Sequence, residues 1–266
     1  TLCTVMSSLF RTIGVEVYMA ENDWWLPTRL KADEESTRLV TDFTQLDAKG
    51  DFGAYRRLVL GDSLENSNAS VHNDLLPRSK FYQILKYLEL GNPRTILDAG
   101  CGLGYTTAVI AEIFSGARVL GIDLAEDAIT YAKINHVNAS FGVVALDPSG
   151  ERIGTFDLIF CFEIYPFSRN RDVSYQSGLI KNLSQNLSAE GKIIISQTWR
   201  NTDALPPVLN QVAQLCPELL FEVVSYPHPR VPLWLPKRLA LVCAKIVEMA
   251  TGKEVVKKLI IISTKG

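Results

Sequence analysis

The segment Thr95-Ile96-Leu97-Asp98-Ala99-Gly100-Cys101-Gly102-Leu103-Gly104-Tyr105-Thr106-Thr107 constrains this chain more than any other. An apolar run ends in Asp98, glycine recurs at every second position, and a helical pattern opens at Tyr105. A strand must therefore pass into a helix through a loop almost free of side chains. Such a loop turns tightly and lets a ligand approach the backbone, while the helix behind it offers N–H groups to an anion or carboxylate. This is the build of a nucleotide cradle. The dinucleotide fingerprint G-x-G-x-x-G fails, however, because it would need glycine at Tyr105 or at Thr107.

Downstream of Arg94, short β-branched or aliphatic runs alternate with helical patterns. Strands are expected at Thr95 to Asp98, Arg118 to Ile122, Phe141 to Val144, Phe156 to Phe162 and Lys192 to Ser196. Helices are expected at Tyr105 to Phe114, Ala125 to Asn135, about Val173 to Leu187 and about Ala204 to Cys216. This alternation builds βαβ units and a parallel sheet covered on both faces. Runs such as Phe156-Asp157-Leu158-Ile159-Phe160-Cys161-Phe162 and Ile193-Ile194-Ile195 are near-continuously apolar, as strands buried on both sides must be. Leu219 to Tyr226 and Val255 to Ser263 read as two strands finishing the sheet as an antiparallel pair. Ahead of the glycine loop, Pro77 to Leu90 reads as a helix stopped by Gly91-Asn92-Pro93.

Charge and composition exclude several classes. With 27 Lys+Arg against 29 Asp+Glu the net charge is −2, so no general attraction draws the chain to nucleic acid, which is not expected as a partner. Hydrophobic residues at 47% and charged residues at 21% match ordinary globular domains and exclude disorder or a fibrous repeat. Cys3, Cys101, Cys161, Cys216 and Cys243 are odd in number and never spaced C-x-x-C, so neither a metal site nor a disulfide framework is expected, and a cytoplasmic setting fits best. No apolar run is long enough for a transmembrane segment. Thr1 to Arg11 lacks the marks of a signal peptide, and the missing initiator Met suggests a trimmed or incomplete start.

A second acidic position stands about twenty residues after the glycine loop, where Gly121-Ile122-Asp123 ends the second strand. At that distance an acidic side chain reaches ribose hydroxyls in nucleotide-binding βαβ units. Asp123-Leu124-Ala125-Glu126 also reads as a capping box, which would make Asp123 a helix N-cap, and both roles can hold together.

The set Asp98-x-Gly100-x-Gly102-x-Gly104, then Asp123, then Ala145-Leu146-Asp147-Pro148, then the strand from Phe156 with the loop Glu163-Ile164-Tyr165-Pro166, then Leu187-Ser188-Ala189-Glu190-Gly191 before the fifth strand, resembles class I S-adenosylmethionine (SAM) dependent methyltransferases of the small-molecule type. The resemblance covers roughly residues 76 to 200. It implies a three-layer α/β, doubly wound, mainly parallel seven-stranded sheet with an antiparallel last strand, here with an N-terminal helical cap. It further implies SAM as cofactor and S-adenosylhomocysteine as product. Asp98, Gly100, Cys101, Gly102 and Gly104 would then line the floor under the methionine moiety, Asp123 with Leu124 would take the ribose side, and Asp147 the adenine amino group. The family usually carries Gly-Asp-Ala at that third place, and Leu146 and Pro148 depart from it. Arg78 would pair with the SAM carboxylate.

Candidates for the chemistry are fewer. Glu163 sits at the carboxyl end of a central strand, where open α/β sheets place their ligands, and it is the first candidate for a catalytic carboxylate and a SAM contact. The histidine that follows in ubiquinone-pathway O-methyltransferases is replaced here by Pro166-Phe167. Tyr165 and Phe167 read as pocket wall, Asp157 as a structural turn residue. His228, between Pro227 and Pro229, and His72 are the candidate bases, each with a plain loop role as the alternative. His136 reads as a helix C-terminal residue that suits the dipole.

Residues 1–75 are expected to form an N-terminal extension or cap, and 76–266 the SAM-binding domain with a helical insertion at about 230–252. Pro232 to Ala250 reads as a proline-started helix, apolar over most of its surface, hence a buried cap, a homodimer contact or an interfacial helix meeting lipid at the periphery. The functional expectation is methyl transfer to O or N of a small-molecule acceptor. The alternatives are a SAM-binding regulatory or partner subunit without transfer, and an aminopropyl-type transferase.

Overall fold

A computed structural model describes residues 81–164, 167, 172–197, 205–227, 235–252 and 255–265. The strands β1 (Thr95–Ala99), β2 (Arg118–Asp123), β3 (Ser140–Val143), β4 (Phe156–Phe162), β5 (Leu187–Gln197), β6 (Leu219–Pro227) and β7 (Val256–Thr264) form one sheet in the order β3-β2-β1-β4-β5-β7-β6. Around it lie α1 (Tyr105–Ile113), α2 (Glu126–Asn135), α3 (Val173–Ser184), α4 (Leu205–Leu215) and α5 (Lys237–Thr251). Pairing is parallel from β3 to β5, and β7 runs antiparallel to both of its neighbours. The mainly parallel sheet with a reversed last strand is therefore as expected.

Alternation along the central strands divides the core between the two sheet faces. Ile159 and Cys161 of β4, with Ile193 and Ile195 of β5, pack with Leu179, Ile180 and Leu183 of α3 and Val208 and Val212 of α4. Leu158, Phe160 and Ile194 point the other way, onto Val109 and Ile110 of α1 and onto Phe81 and Ile84. Phe81 meets the Phe160 ring edge-on at 5.3 Å. Each such side chain, fully buried, stabilises the fold by about 1.5 to 3 kcal/mol.

Asp157 joins three strands. Its Oδ2 accepts from the N–H groups of Arg94 (2.8 Å) and Thr95 (3.1 Å) and its Oδ1 from Ser188 Oγ (2.7 Å), which is the structural role expected of it.

Four boundaries differ from expectation by more than two residues. The helix ahead of β1 is described over 81–85 and gives way to a turn well before Leu90: Tyr87 and Leu88 donate to carbonyls three residues back, which tightens the last turn, and Lys86 Nζ reaches out to the Leu235 carbonyl. Helix α3 ends at Ser184 rather than Leu187, and β5 begins at Leu187 rather than Lys192. The cause is Asn186. Its Oδ1 accepts from Ile153 and Gly154 N–H and its carbonyl from Phe156 N–H, so the chain turns into the sheet early. The β4–β5 register then shifts between Phe156 and Leu158. Helix α5 starts at Lys237, not Pro232, because Leu235 precedes Pro236 and the residue before proline is driven out of the helical region. The expected N-terminal cap, 1–75, lies outside the described residues.

Candidate functional site

The chain leaves β1 toward β2 and β3 on one side, and β4 and β5 lie on the other, so the order reverses between β1 and β4. Ligands of open α/β sheets bind outside the carboxyl ends of the strands at such a point. Three segments converge there: the glycine loop after β1, Asp123 at the end of β2 and Glu163 after β4.

The loop is fastened from below. Gly100 and Cys101 N–H both donate to the Ile122 carbonyl (2.8 and 2.9 Å), and Gly104 N–H donates to the Cys101 carbonyl at 3.0 Å. Gly100, Gly102 and Gly104 all have left-handed backbones, with φ of 76, 53 and 82°. At Gly104 a Cβ would come within 2.8 Å of the Phe141 ring and 2.9 Å of Ala132 and His136, so close packing demands glycine. Gly102 is the opposite case. No heavy atom lies within 4 Å of a Cβ placed there, so its backbone faces open space that a ligand can enter. Behind the loop, α1 has no side-chain cap and no acidic residue in its first turn, leaving the positive end of its dipole facing the same space.

Asp123 ties the two halves together. Its Oδ2 accepts from Gly102 N–H and its Oδ1 from Ala125 N–H, both at 2.9 Å. The N-cap of α2 is Ala125, not Asp123, so the expected capping box is absent and Asp123 instead closes a turn two residues long. A carboxylate has about four lone-pair directions, and two N–H donors leave capacity for ribose hydroxyls. Leu124 beside it is an exposed apolar side chain, suited to lie against a flat ring.

Asp98 lies beneath the loop rather than in the open, accepting from Thr107 Oγ1 at 2.6 Å. Burial, with a smaller push from Asp123, raises its pKa to about 6 although the Thr107 bond works the other way. Burial also pushes the Cys101 thiol up, helped by the charges of Asp98 and Asp123, so it is no ready nucleophile. Asp147 is exposed and occupied in its own turn: Oδ1 accepts from Ser149 N–H (2.7 Å) and Oγ (2.5 Å), and these bonds hold its pKa below the ordinary range.

Glu163 is exposed and takes φ of 55°, the one non-glycine with positive φ among the described residues. Such a backbone costs about 1 to 3 kcal/mol and tends to persist where function requires it. Its N–H donates to the Ser196 carbonyl (2.9 Å), while the next residue, Ile164, is buried against Gly100 so closely that a Cβ there would collide with it. The loop after β4 is thus seated on the glycine loop, with Glu163 at the rim. Phe167, expected in the pocket wall, is instead packed in the core. Tyr165, His72, Arg78 and His228 lie outside the described residues.

Sequence reasoning missed two supports. His136 Nε2 lies 3.1 Å from the Leu103 carbonyl, so the proton sits on that nitrogen and the ring buttresses the glycine loop within a cluster of Tyr105, Tyr131 and Phe141. Burial lowers its pKa, although the bond to Leu103 works the other way. Ser196 Oγ and Tyr226 OH, both buried, are 2.7 Å apart, tying β5 to β6 across β7. Among the described residues no three His, Cys, Asp or Glu side chains gather into a metal site, and no helix is long and apolar enough to cross a membrane.

Comparison with known proteins adds the chemistry. A family profile described as a methyltransferase domain matches residues 92–257, more than half of the chain. The chain is 27% identical over 146 residues to the putative methyltransferase 235L of Invertebrate iridescent virus 6, covering 54% of this chain and 52% of that protein. It is 27% identical over 113 residues to the ubiquinone biosynthesis O-methyltransferase of Idiomarina loihiensis, covering 41% and 44%. The chain thus spans about half the length of the curated relatives it matches. Among solved structures, the N-methyltransferase NodS of Bradyrhizobium japonicum, bound to S-adenosylhomocysteine, superposes with a TM-score of 0.53 at 15% identity, covering 80% of this chain and 98% of that one. That likeness is one of fold.

Proposed function

Since the chain belongs to the methyltransferase domain family and has the class I fold, we propose that it is an enzyme that moves the methyl group of SAM to an oxygen or nitrogen of a small molecule. The observation that carries this reading is the junction of Asp123 with Gly102: an acidic acceptor at the end of β2 beside a left-handed glycine whose outer face is open. The residues fit the cofactor. Gly100, Gly102 and Gly104 would admit its amino-acid portion to the backbone, the α1 N-terminus would face its carboxylate, Asp123 would accept from its ribose hydroxyls and Leu124 would lie on its adenine, with Asp147 at the adenine edge. When bound, SAM supplies an electrophilic methyl group on a sulfonium.

The chain's own contribution begins with position. Holding donor and acceptor in line can lower the barrier by ~7 to 11 kcal/mol without any base. Asp123 and Ile122 fasten the glycine loop, and Ile164 packs the start of the segment after β4 against Gly100. Glu163, held at the rim, would accept the proton of a hydroxyl acceptor on its carboxylate. His72 and His228 are kept as further candidate bases, and Arg78 as a candidate partner for the SAM carboxylate, on the sequence reading alone. The ubiquinone biosynthesis O-methyltransferase of Idiomarina loihiensis, similar to this chain in sequence, supports oxygen as an acceptor atom; nitrogen is kept on the sequence reading.

The test is incubation with methyl-labelled SAM and a panel of phenols, carboxylic acids and primary amines, following label transfer and S-adenosylhomocysteine together. Stoichiometric appearance of both is expected. SAM binding with no transfer across the panel would move the protein to the regulatory or partner-subunit reading, and turnover of decarboxylated SAM alone to the aminopropyl reading.

A further inference from the structure

Helix α5 carries apolar side chains on two faces. The face it turns to the sheet has Ala240 and Ala244 buried with Leu235 and Val255, and Cys243 and Val247 partly buried against them. Four further large apolar side chains face away: Leu239, Val242 and Ile246 are about half exposed and Met249 is 87% exposed. Positions 239, 242, 246 and 249 recur at the three- and four-residue spacing that puts them in one stripe along the helix. A helix on the surface of a protein meant for water carries polar residues there. Contiguous apolar stripes of this kind mark an interaction surface.

Charge says what the stripe meets. Lys237, Arg238 and Lys245 are exposed, and Arg238 and Lys245, seven residues apart, run along one flank of the stripe. The single carboxylate on the helix, Glu248, is turned inward, its Oε1 accepting from Val255 N–H (2.7 Å) and Val256 N–H (2.9 Å). The outward side of α5 is therefore apolar and cationic, with no carboxylate of the helix itself to answer the cations. Two copies meeting through this face would set three cations against three. A surface that is apolar inside and anionic at its border has no such conflict.

We infer that α5 is an interfacial anchor that lays its Leu239–Met249 stripe into the surface of an anionic lipid bilayer. The apolar side chains enter the acyl boundary, and Arg238 and Lys245 extend to the headgroups. The helix lies over β6 and β7, joining their ends at the carboxyl edge of the sheet, with β4 and β5 between β7 and the strand that leads into the glycine loop. The inference stands on the helix alone and does not rest on methyl transfer.

The test is co-sedimentation of the 266-residue chain with vesicles of phosphatidylcholine alone and of phosphatidylcholine mixed with phosphatidylglycerol. Binding to the mixed vesicles is expected, weakening as salt rises. The double variant Val242→Glu, Ile246→Glu should lose at least about tenfold in binding, and Arg238→Glu or Lys245→Glu about fivefold or more each. Melting temperature and SAM affinity, read in parallel, should stay at wild-type values because these side chains face outward. Protein that remains in the supernatant with the mixed vesicles, or a double variant that sediments like wild type, overturns the inference. So does a dimer seen by sedimentation equilibrium without lipid and dissolved by Ile246→Glu, which would assign the stripe to a second copy.

Discussion

Among the described residues, Asp98 is where pH acts on the fold most directly. Its carboxyl has a pKa of about 6 in place of 3.8, so between these values the folded chain keeps a proton that the unfolded chain has lost. The associated stability is fully present below the unfolded pKa and is lost as pH rises through the folded one, a change of about 3 kcal/mol. Asp98→Asn removes the charge but keeps an acceptor for Thr107. Urea unfolding should therefore find this variant more stable than wild type at neutral pH, by up to about 3 kcal/mol, and without the decline across that window. Superimposable pH profiles would contradict the burial argument. Glu163 makes a different prediction, because it is exposed and strained rather than buried. With a hydroxyl acceptor, Glu163→Gln should lower kcat by ~10² to 10⁴-fold and leave SAM affinity unchanged. Equal losses in kcat and in SAM affinity would make it a binding residue instead.

The glycine loop separates two reasons for the same residue type. At Gly104 an added methyl meets Phe141, Ala132 and His136 at under 3 Å with φ of 82°, so Gly104→Ala should cost roughly 2 to 4 kcal/mol in denaturant unfolding. At Gly102 the methyl meets nothing, and the cost should be limited to about 1 kcal/mol for the left-handed backbone. The methyl would, however, stand in the open crevice. SAM affinity of Gly102→Ala should fall far more than its stability, and calorimetry beside unfolding curves would reveal the split. If affinity follows stability at both positions, the open side of Gly102 is not the ligand side. The loop was legible in the sequence because its signature is local, alternating glycines with an apolar strand before and a helix after, although the groups that fasten it, the Ile122 carbonyl, Asp123 and His136, lie farther along the chain. The early end of α3 was not, because it depends on Asn186 bonding to Ile153 and Gly154, more than thirty residues away.

On the scale of the whole molecule, the same division between local and distant causes decides what could be read. The parallel sheet followed from apolar runs recurring between helical patterns, and the antiparallel closing pair from the last two such runs, as the family resemblance also implied. Asp98, Asp123 and Glu163 stand at strand ends that the pattern located, and the structure brings all three to the reversal of strand order. Phe167 misled because a large side chain near a crevice can as well face inward, and only packing decides. His136 caps the C-terminus of α2 as its sequence position implied, but its bond to Leu103 and the Ser196–Tyr226 pair left no signal, since the partners lie 33 and 30 residues away and meet only once the sheet is assembled. Tyr226→Phe should cost about 1 to 2 kcal/mol by leaving the buried Ser196 hydroxyl short of a partner. A thermal shift below that of surface substitutions would show the tie to be unimportant. The proposed methyl transfer depends on Asp123 and the open glycine loop forming a SAM site. The direct measurement is calorimetric titration with SAM and S-adenosylhomocysteine of the wild type and of Asp123→Ala. Saturable binding of both ligands by the wild type, weakened at least about tenfold in a variant that still melts cooperatively, is the predicted result. A folded wild type that binds neither ligand, or an Asp123→Ala variant with unchanged affinity, would contradict it.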